Sequence, residues 1–192
     1  MADNTSDALL LEVAGVVRKC LAEGFPVEIE GLGTFRTNRN GVVEFIAELR
    51  QKVFIAYSEE DLPAAERLYH ALEAHDFDPW LDKKKLLPGQ NWPRAIQQAI
   101  EVSDFFIACL SKRSVGKRGY FQSELRYALD CAARLPFDDI FLLPVRVNDC
   151  TIPEQISKEI QYVDLFPVFE EGLGRIFNVM RQARKQRRRR VA

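Results

Sequence analysis

The run VFIAY at residues 53–57 and the run FFIACL at residues 105–110 decide the fold. Each run is too short for a typical helix and contains no charged residue, which is typical of a strand buried on both faces of a parallel sheet. Three further runs, in which apolar residues dominate, complete the pattern. They are Phe77–Leu81, Ile140–Val147 and Tyr162–Leu165.

Amphipathic segments alternate with these runs and predict the helices of an α/β domain. Leu62, Leu68 and Leu72 recur at helical spacing, and Trp92-Pro93 opens a second helix, since proline is favoured in a first helical turn. Two more helices are predicted at Phe121–Ala133 and from Glu171 to about Arg187. This alternation predicts a flavodoxin-like, five-stranded parallel sheet with helices on both faces.

The first 49 residues follow a different pattern, which predicts a small N-terminal helix and β-meander. Asp7–Glu23 carries apolar residues at helical spacing, and Gly24 is placed to end this helix. Asn40-Gly41 is a strong hairpin signal. The predicted strands are Val27–Glu30, Thr34–Thr37 and Val42–Ile46. So short a unit has little core of its own, and we expect it to pack against the next domain or a second copy.

Composition places the chain among folded, soluble proteins. It has 192 residues, 47% of them hydrophobic, with 27 basic and 28 acidic residues and a formal net charge of -1. This balance argues against binding of nucleic acid or of an anionic membrane through a broad, positively charged surface. A local basic run covers residues 184–190. We therefore predict a helix and meander at residues 1–49, an α/β domain at 50–183 and a basic tail at 184–192.

The cysteines and the apolar segments favour a cytoplasmic location. Cys20, Cys109, Cys131 and Cys150 show neither a CxxC pair nor a regular framework, as expected in a reducing compartment. No stretch approaches the length of about 18 apolar residues that suggests a membrane span, and the N-terminal residues lack the features of a secretory signal. We expect no membrane partner.

The topology predicts where a ligand would bind. In a doubly wound sheet, ligands lie beyond the carboxyl ends of the strands, where the strand order reverses. Ser58 follows the first predicted strand, Asp82 follows the second, and the polar loop that begins at Ser111 follows the third. That loop leads to Tyr120 and Glu124, which share one helical face if the helix begins early enough.

Four segments between Lys52 and Phe166 resemble the TIR domain family. KVFIAYS at residues 52–58 resembles its first strand, PWLDKKKLLPGQNW at 79–92 its second strand and BB loop, and DFFIACLSKRS at 104–114 its third strand. SKRSVGKRGYFQSEL at 111–125 is similar to the pattern of TIR domains that cleave NAD+. All four segments occur in the family's order and at its separations.

The resemblance implies an NAD+ glycohydrolase that releases nicotinamide and either ADP-ribose or a cyclic ADP-ribose. Glu124 matches the family's essential glutamate. Six other residues fall where the family lines its substrate pocket: Ser58, Asp82, Lys85, Trp92, Ser111 and Tyr120. It further implies that copies associate through the BB loop, and it suggests a bacterial protein used in anti-phage defence.

NAD+ is expected as a substrate and not as a bound cofactor. The predicted strands are not followed by the glycine fingerprint of dinucleotide cofactor sites. His70 and His75 are the only histidines and have no cysteine cluster near them in sequence, so the sequence predicts no metal site.

The N-terminal unit resembles part of the bacterial HU/IHF family through AGVVRKCLAEGFPVEIEGLGTF at residues 14–35. The resemblance implies pairing of two copies through the helix and hairpin. The long basic arm that embraces DNA in that family is replaced by the tight turn Asn38–Gly41, so nucleic-acid binding is not expected.

Two other functions stay open at this point. The TIR-like region could be a non-catalytic scaffold that recruits other TIR domains, with Glu124 a solvated helix residue. A DNA-associated protein that uses the N-terminal unit and the basic tail is the third alternative, and it requires retention of DNA at physiological salt.

Overall fold

The computed structural model describes residues 3–29, 32–47, 50–115, 119–136 and 139–191. The chain divides into two compact units, Met1–Arg50 and Gln51–Ala192. Each unit has its own sheet, three-stranded in the first and five-stranded in the second. The predicted helix and meander of the first unit and the parallel sheet of the second are both confirmed.

The first unit consists of one long helix followed by an antiparallel meander. Helix α1 is followed by a turn in which Gly24 has a φ of +86°, a conformation that glycine adopts without steric cost. Gly41 has a φ of +78° in the second hairpin, where the Asn38 side chain accepts bonds from the Asn40 and Val42 N–H groups. The elements are α1 (Asp3–Ala22), β1 (Val27–Ile29), β2 (Gly33–Thr37) and β3 (Val43–Ala47).

This unit has almost no core of its own. Among its residues whose burial the structure describes, Leu21 is the one large hydrophobic side chain that is buried. Phe35 and Phe45 face each other across the meander, with ring centroids 4.6 Å apart. Its exposed hydrophobic residues are Leu11, Val13, Val16, Phe25, Leu32, Val42, Val43, Phe45 and Ile46.

The second unit is a parallel sheet in the flavodoxin order β5-β4-β6-β7-β8. The central strand β6 is buried along its whole length, as a strand covered on both faces must be. The bounds of β6 are those predicted, and the bounds of the other four strands differ from the predicted runs by one or two residues at each end. The strands are β4 (Lys52–Ala56), β5 (Asp78–Trp80), β6 (Phe105–Leu110), β7 (Leu142–Arg146) and β8 (Val163–Asp164).

Helices cover both faces of this sheet. Helices α2 and α7 pack on one face, and α4, α5 and α6 pack on the other, which gives two separate apolar clusters. A short 3-10 helix, Glu59–Asp61, precedes α2. The helices are α2 (Leu62–Ala74), α3 (Asp82–Lys85), α4 (Trp92–Glu101), α5 (Tyr120–Ala132), α6 (Glu154–Ser157) and α7 (Phe169–Val191).

Helix α7 is longer than predicted and includes the whole basic run of residues 184–190. The predicted helix ended near Arg187 and a solvated tail followed, whereas the structure is helical to Val191. Arg187 is only partly exposed, and its guanidinium donates to the carbonyl oxygens of Asp104 and Ile140. In the part of the chain that is described, no helix is both long and apolar enough to cross a membrane.

Candidate active site

A cavity of about 370 Å³ opens at the carboxyl ends of β4 and β5 and reaches the first turns of α5. This is the edge that the topology predicts for a ligand. Of the seven predicted site residues, four line the cavity: Ser58, Asp82, Tyr120 and Glu124. Other described lining residues include Phe54, Tyr57, Glu59, Glu60, Trp80, Lys83, Ser114 and Phe121. We call this cavity the cleft.

Glu124 is the half-buried carboxylate of the cleft. Helix α5 begins at Tyr120, so Glu124 lies one turn later on the same face, as the four-residue spacing predicts. Burial raises the pKa of Glu124 to about 8, and the negative charge of Asp82 adds to this shift. Around neutral pH the cleft therefore holds a carboxyl group that can exchange a proton with a ligand or with water.

Asp82 is held in the cleft by Tyr57. The Tyr57 hydroxyl donates to Asp82 Oδ1 at 2.5 Å, and the backbone N–H of Lys83 donates to the same oxygen at 2.7 Å. Burial, together with this hydrogen bond, raises the pKa of Tyr57 and keeps the phenol protonated. Tyr57 was not among the predicted site residues. The only sequence signal for it is a hydroxyl-bearing aromatic residue at the end of an apolar strand.

Ser111 lies behind the cleft and not in its lining. Its side chain is fully buried, and its hydroxyl donates to Asp61 Oδ2 at 2.6 Å while it accepts from the Arg113 and Ser114 N–H groups. Ser58 donates to the same Asp61 oxygen at 2.6 Å. Ser111 thus closes the turn after β6, and Asp61 ties that turn to the loop after β4.

Trp92 and Tyr120 contact each other at the edge of the cleft. Their rings pack edge to face, with centroids 4.4 Å apart and an interplanar angle of 81°. Trp92 lines a smaller apolar groove of about 190 Å³ between α4 and α5, which Tyr120 and Glu124 also border. Trp92 is 38% exposed and Tyr120 67% exposed, so both rings remain accessible to a ligand.

Lys85 faces away from the cleft. Its ammonium lies 3.5 Å from an oxygen of Asp78, and it is not among the described lining residues. Lys83 lines the cleft instead, with its ammonium 3.7 Å from Glu59. The four-residue helix α3 explains the difference, because each step along a helix turns the side chain by about 100°.

The described part of the chain contains no group of three or more His, Cys, Asp or Glu side chains placed to hold a metal ion. The described lining of the cleft supplies carboxyl groups, a phenol, hydroxyls and aromatic rings.

A family model for the TIR domain matches residues 53–177. This chain belongs to the TIR domain family. Apart from Lys52, the first residue of β4, the match includes all five strands of the parallel sheet, and it includes the whole described lining of the cleft. No curated protein sequence matches the chain.

Solved TIR structures share this fold. The TIR domain of the Toll-related receptor TRR-2 from Hydra magnipapillata has a TM-score of 0.53 and 22% identity, over 69% of this chain and 97% of that domain. A metazoan TIR-STING receptor from C. gigas, solved in complex with 2′,3′-cGAMP, has a TM-score of 0.52 and 18% identity. That match covers 64% of this chain and 38% of the receptor. At these identities the similarity shows the fold alone.

Proposed function

We propose that this TIR domain cleaves the nicotinamide–ribose bond of NAD+, with Glu124 as the carboxylate that stabilises the ribose in the transition state. The observation that carries the proposal is the position of Glu124 in the cleft, half-buried, with a pKa of about 8 and with Asp82 nearby. The ionised form of this group, which becomes the major form above about pH 8, can stabilise the positive charge that develops on a sugar.

The chemical step needs no cofactor. The bond between the ribose C1′ and the pyridinium nitrogen breaks, and its electron pair stays on the nitrogen of neutral nicotinamide. The ribose then carries oxocarbenium charge, which the Glu124 carboxylate stabilises electrostatically. Water adds to C1′ and loses a proton to Glu124 or to solvent, which gives ADP-ribose. If a nitrogen of the adenine ring replaces water, the product is a cyclic ADP-ribose.

Other residues of the cleft support this role through contacts. Tyr57 holds the Asp82 carboxylate at the same cleft as Glu124, where it can accept hydrogen bonds from ribose hydroxyls. Tyr120, with Trp92 behind it, presents an accessible ring on which a base can stack. Ser58 lines the cleft, and its hydroxyl donates to Asp61. Ser111 supports this arrangement from behind, and Lys85 makes no contribution in this proposal.

The test is nicotinamide release. Concentrated protein, with and without a crowding agent, is incubated with NAD+, and the products are separated by chromatography. We expect release by the wild type and a loss of about 100-fold or more in Glu124→Gln. Asp130→Asn is the matched control, because Asp130 is an exposed carboxylate on the same helix and should leave the rate unchanged. No release by wild-type protein that is demonstrably assembled would reject the proposal.

A homotypic scaffold is the second candidate, and the exposed loop between α3 and α4 favours it. Leu87 in this loop is 65% exposed beside Pro88 and Gly89, an apolar tip suited to contact with another copy. We expect Leu87→Asp to abolish concentration-dependent assembly in light scattering, and Glu124→Gln to leave assembly intact. If assembly occurs without any nicotinamide release, the scaffold is the better description.

The biological setting stays part of the proposal. We infer that the enzyme acts in the cytoplasm of a bacterium in anti-phage defence, and that the apolar surface of residues 1–50 contributes to pairing of copies. The observation that supports the pairing is the exposure of nine large hydrophobic residues among those residues of the unit whose burial the structure describes. Survival of phage-challenged cells that carry the wild type or Glu124→Gln would test this setting.

A further inference from the structure

Asp61 is a buried carboxylate that is not among the described lining residues of the cleft. It directly precedes helix α2, where an aspartate usually accepts a hydrogen bond from the first N–H groups of the helix. The Asp61 side chain makes no such bond. Because a carboxylate is costly to bury unless hydrogen bonds replace its water, this side chain must be held by other contacts.

Two serine hydroxyls share one oxygen of Asp61. Ser58, in the loop after β4, donates to Oδ2 at 2.6 Å, and Ser111, at the start of the loop after β6, donates to the same oxygen at 2.6 Å. These distances are typical of hydroxyl bonds to a carboxylate. We call the three side chains the bridge, because they join the loops that follow two neighbouring strands.

Further hydrogen bonds connect the bridge to the helix that carries Glu124. The Ser111 hydroxyl oxygen accepts from the Ser114 N–H at 3.0 Å, and Ser114 Oγ accepts from the Ser111 N–H at 2.7 Å. The Ser114 carbonyl oxygen accepts from the Gln122 side chain at 3.2 Å. Gln122 lies in the first turn of α5, directly before the turn that contains Glu124.

Both loops that the bridge joins contribute to the cleft. Ser58 and Glu59 line it from the loop after β4, and Ser114 and Gly119 line it from the loop after β6. The separation of the two loops therefore sets the shape of the cleft. A displacement of about 1 Å in a reacting group can lower a rate by about 100-fold, so this separation matters for catalysis.

We propose that Asp61 is a positioning residue, whose Oδ2 atom holds the two loops together and thereby keeps Glu124 in place for the ribose. The inference rests on the proposed function and adds to it a residue outside the cleft. Both hydroxyls converge on one oxygen, so an amide oxygen at the same point can replace the carboxylate. The bridge therefore requires an acceptor and not a charge.

The first experiment compares Asp61→Ala with Asp61→Asn in nicotinamide release from NAD+ by assembled protein. We expect Asp61→Ala to lower kcat about tenfold or more and to leave KM within about threefold of the wild type. Asp61→Asn should keep kcat within about threefold, because its amide oxygen can accept from both hydroxyls. An unchanged kcat in Asp61→Ala, or an equal loss in both variants, would overturn the inference.

Asp104→Ala is the matched control. Asp104 also connects β4 and β6, but at their amino ends, where its carboxylate accepts from the Lys52 N–H at 2.8 Å. We expect this change to lower the free energy of unfolding and to leave kcat unchanged. A loss of kcat as large as that of Asp61→Ala would mean that destabilisation alone slows the reaction, and it would overturn the inference.

Ser111→Ala keeps the inference testable if Asp61→Ala does not fold. Ser111 is fully buried and is not among the described lining residues, so its loss can reach the reaction only through its neighbours. We expect kcat to fall about threefold or more, with little change in KM. A folded Ser111→Ala protein with the kcat of the wild type would overturn the inference.

The second experiment needs no turnover. Carbon-13 NMR follows the Glu124 carboxyl group as pH changes, and Glu124→Gln identifies its signal. Burial raises the pKa of Glu124 to about 8. Separation of the loops admits water, so this pKa should fall by about one unit or more in Asp61→Ala and stay unchanged in Asp61→Asn.

An unchanged pKa of Glu124 in Asp61→Ala would overturn the inference. Absence of nicotinamide release by the wild type would reject the proposed function, while the titration would still decide whether Asp61 positions Glu124.

Discussion

Charged side chains have opposite surroundings at the two ends of the parallel sheet. At the amino end, the guanidinium of Arg187 donates to the Asp104 carbonyl at 3.1 and 3.2 Å and to the Ile140 carbonyl at 2.9 Å. Carboxylates of Asp104 and Asp139 lie 3.6 and 3.8 Å from the same group. At the carboxyl end, Asp82 and Glu124 line a cavity together.

The difference separates stability from function within one domain. At the amino end a charged group is surrounded by acceptors, which stabilises the folded state. At the cleft, burial and the neighbouring charge of Asp82 raise the pKa of Glu124, which costs stability and leaves a carboxyl group that is reactive near neutral pH. Such a cost is typical of functional sites, because groups arranged for a ligand are not arranged for each other.

The largest expected effect is the pH dependence of catalysis. Burial and the charge of Asp82 raise the pKa of Glu124 to about 8, and only the ionised form stabilises the ribose cation. We therefore expect kcat/KM to rise about tenfold per pH unit from pH 6 towards pH 8 and then to level off. Initial rates of nicotinamide release across this range test it. A profile flat between pH 6 and pH 8 would contradict the raised pKa as the controlling feature.

Loss of Arg187 should have the next largest effect, and on stability alone. Arg187→Met keeps an apolar stem but removes the donors, which leaves the carbonyls of Asp104 and Ile140 without this partner. We expect the free energy of unfolding to fall by about 2–3 kcal/mol, with kcat unchanged in the folded protein. Urea denaturation measures the change. Arg181→Met, an exposed arginine on the same helix, should be nearly neutral.

The stability of Glu124→Gln relative to the wild type should increase as pH rises. The pKa of Glu124 is about 8 in the folded state, against 4.5 for the unperturbed group. The folded state therefore holds the proton more tightly, and the wild type loses this contribution as pH rises from 4.5 through 8. The variant cannot lose it. The difference between 4.5 and about 8 corresponds to about 5 kcal/mol for a group fully shielded from water. Because Glu124 is only half-buried, solvent screening reduces this, and we expect the stability gap to grow by roughly 2–3 kcal/mol over that interval, which thermal unfolding at several pH values can measure.

A gap that is independent of pH, or one that shrinks as pH rises, would show that Glu124 is better solvated than its surroundings indicate. Asp130→Asn on the same helix gives the reference behaviour of an exposed carboxylate, for which we expect no such trend.

Removal of the Tyr57 hydroxyl should have the smallest effect. Tyr57→Phe frees the Asp82 side chain to move away from Glu124, so the pKa read from the kcat/KM profile should fall by up to about one unit. Tyr127→Phe is the matched control, since the Tyr127 hydroxyl donates to Glu101 on the surface. An unchanged profile for Tyr57→Phe would show that Asp82 keeps its position without the phenol.

The sheet could be predicted because parallel strands buried on both faces must be short apolar runs. The flavodoxin order then follows from right-handed crossovers, and the edge where the cleft lies follows from that order. The shared helical face of Tyr120 and Glu124 could also be predicted, because a helix places residues four apart on one face.

The residues that were misplaced depend on local geometry that spacing does not encode. Three consecutive lysines, residues 83–85, are equivalent in sequence, and the short helix α3 alone selects Lys83 for the cleft. A serine after a strand can face a ligand or close its own turn, and Ser111 does the latter. Arg187 belongs to a charge run, so its anchorage under the sheet required the three-dimensional path of α7.

The buried thiol of Cys109 can report on transient opening of the sheet. It lies in β6 with no exposed surface, and burial raises the pKa of its thiol to about 12. A thiol reagent can modify it only when the central strand separates from its neighbours, whereas the half-buried Cys20 and Cys131 are open to earlier modification. The rate of alkylation at Cys109, followed by mass spectrometry of its peptide, therefore measures how often the central strand of the sheet becomes exposed.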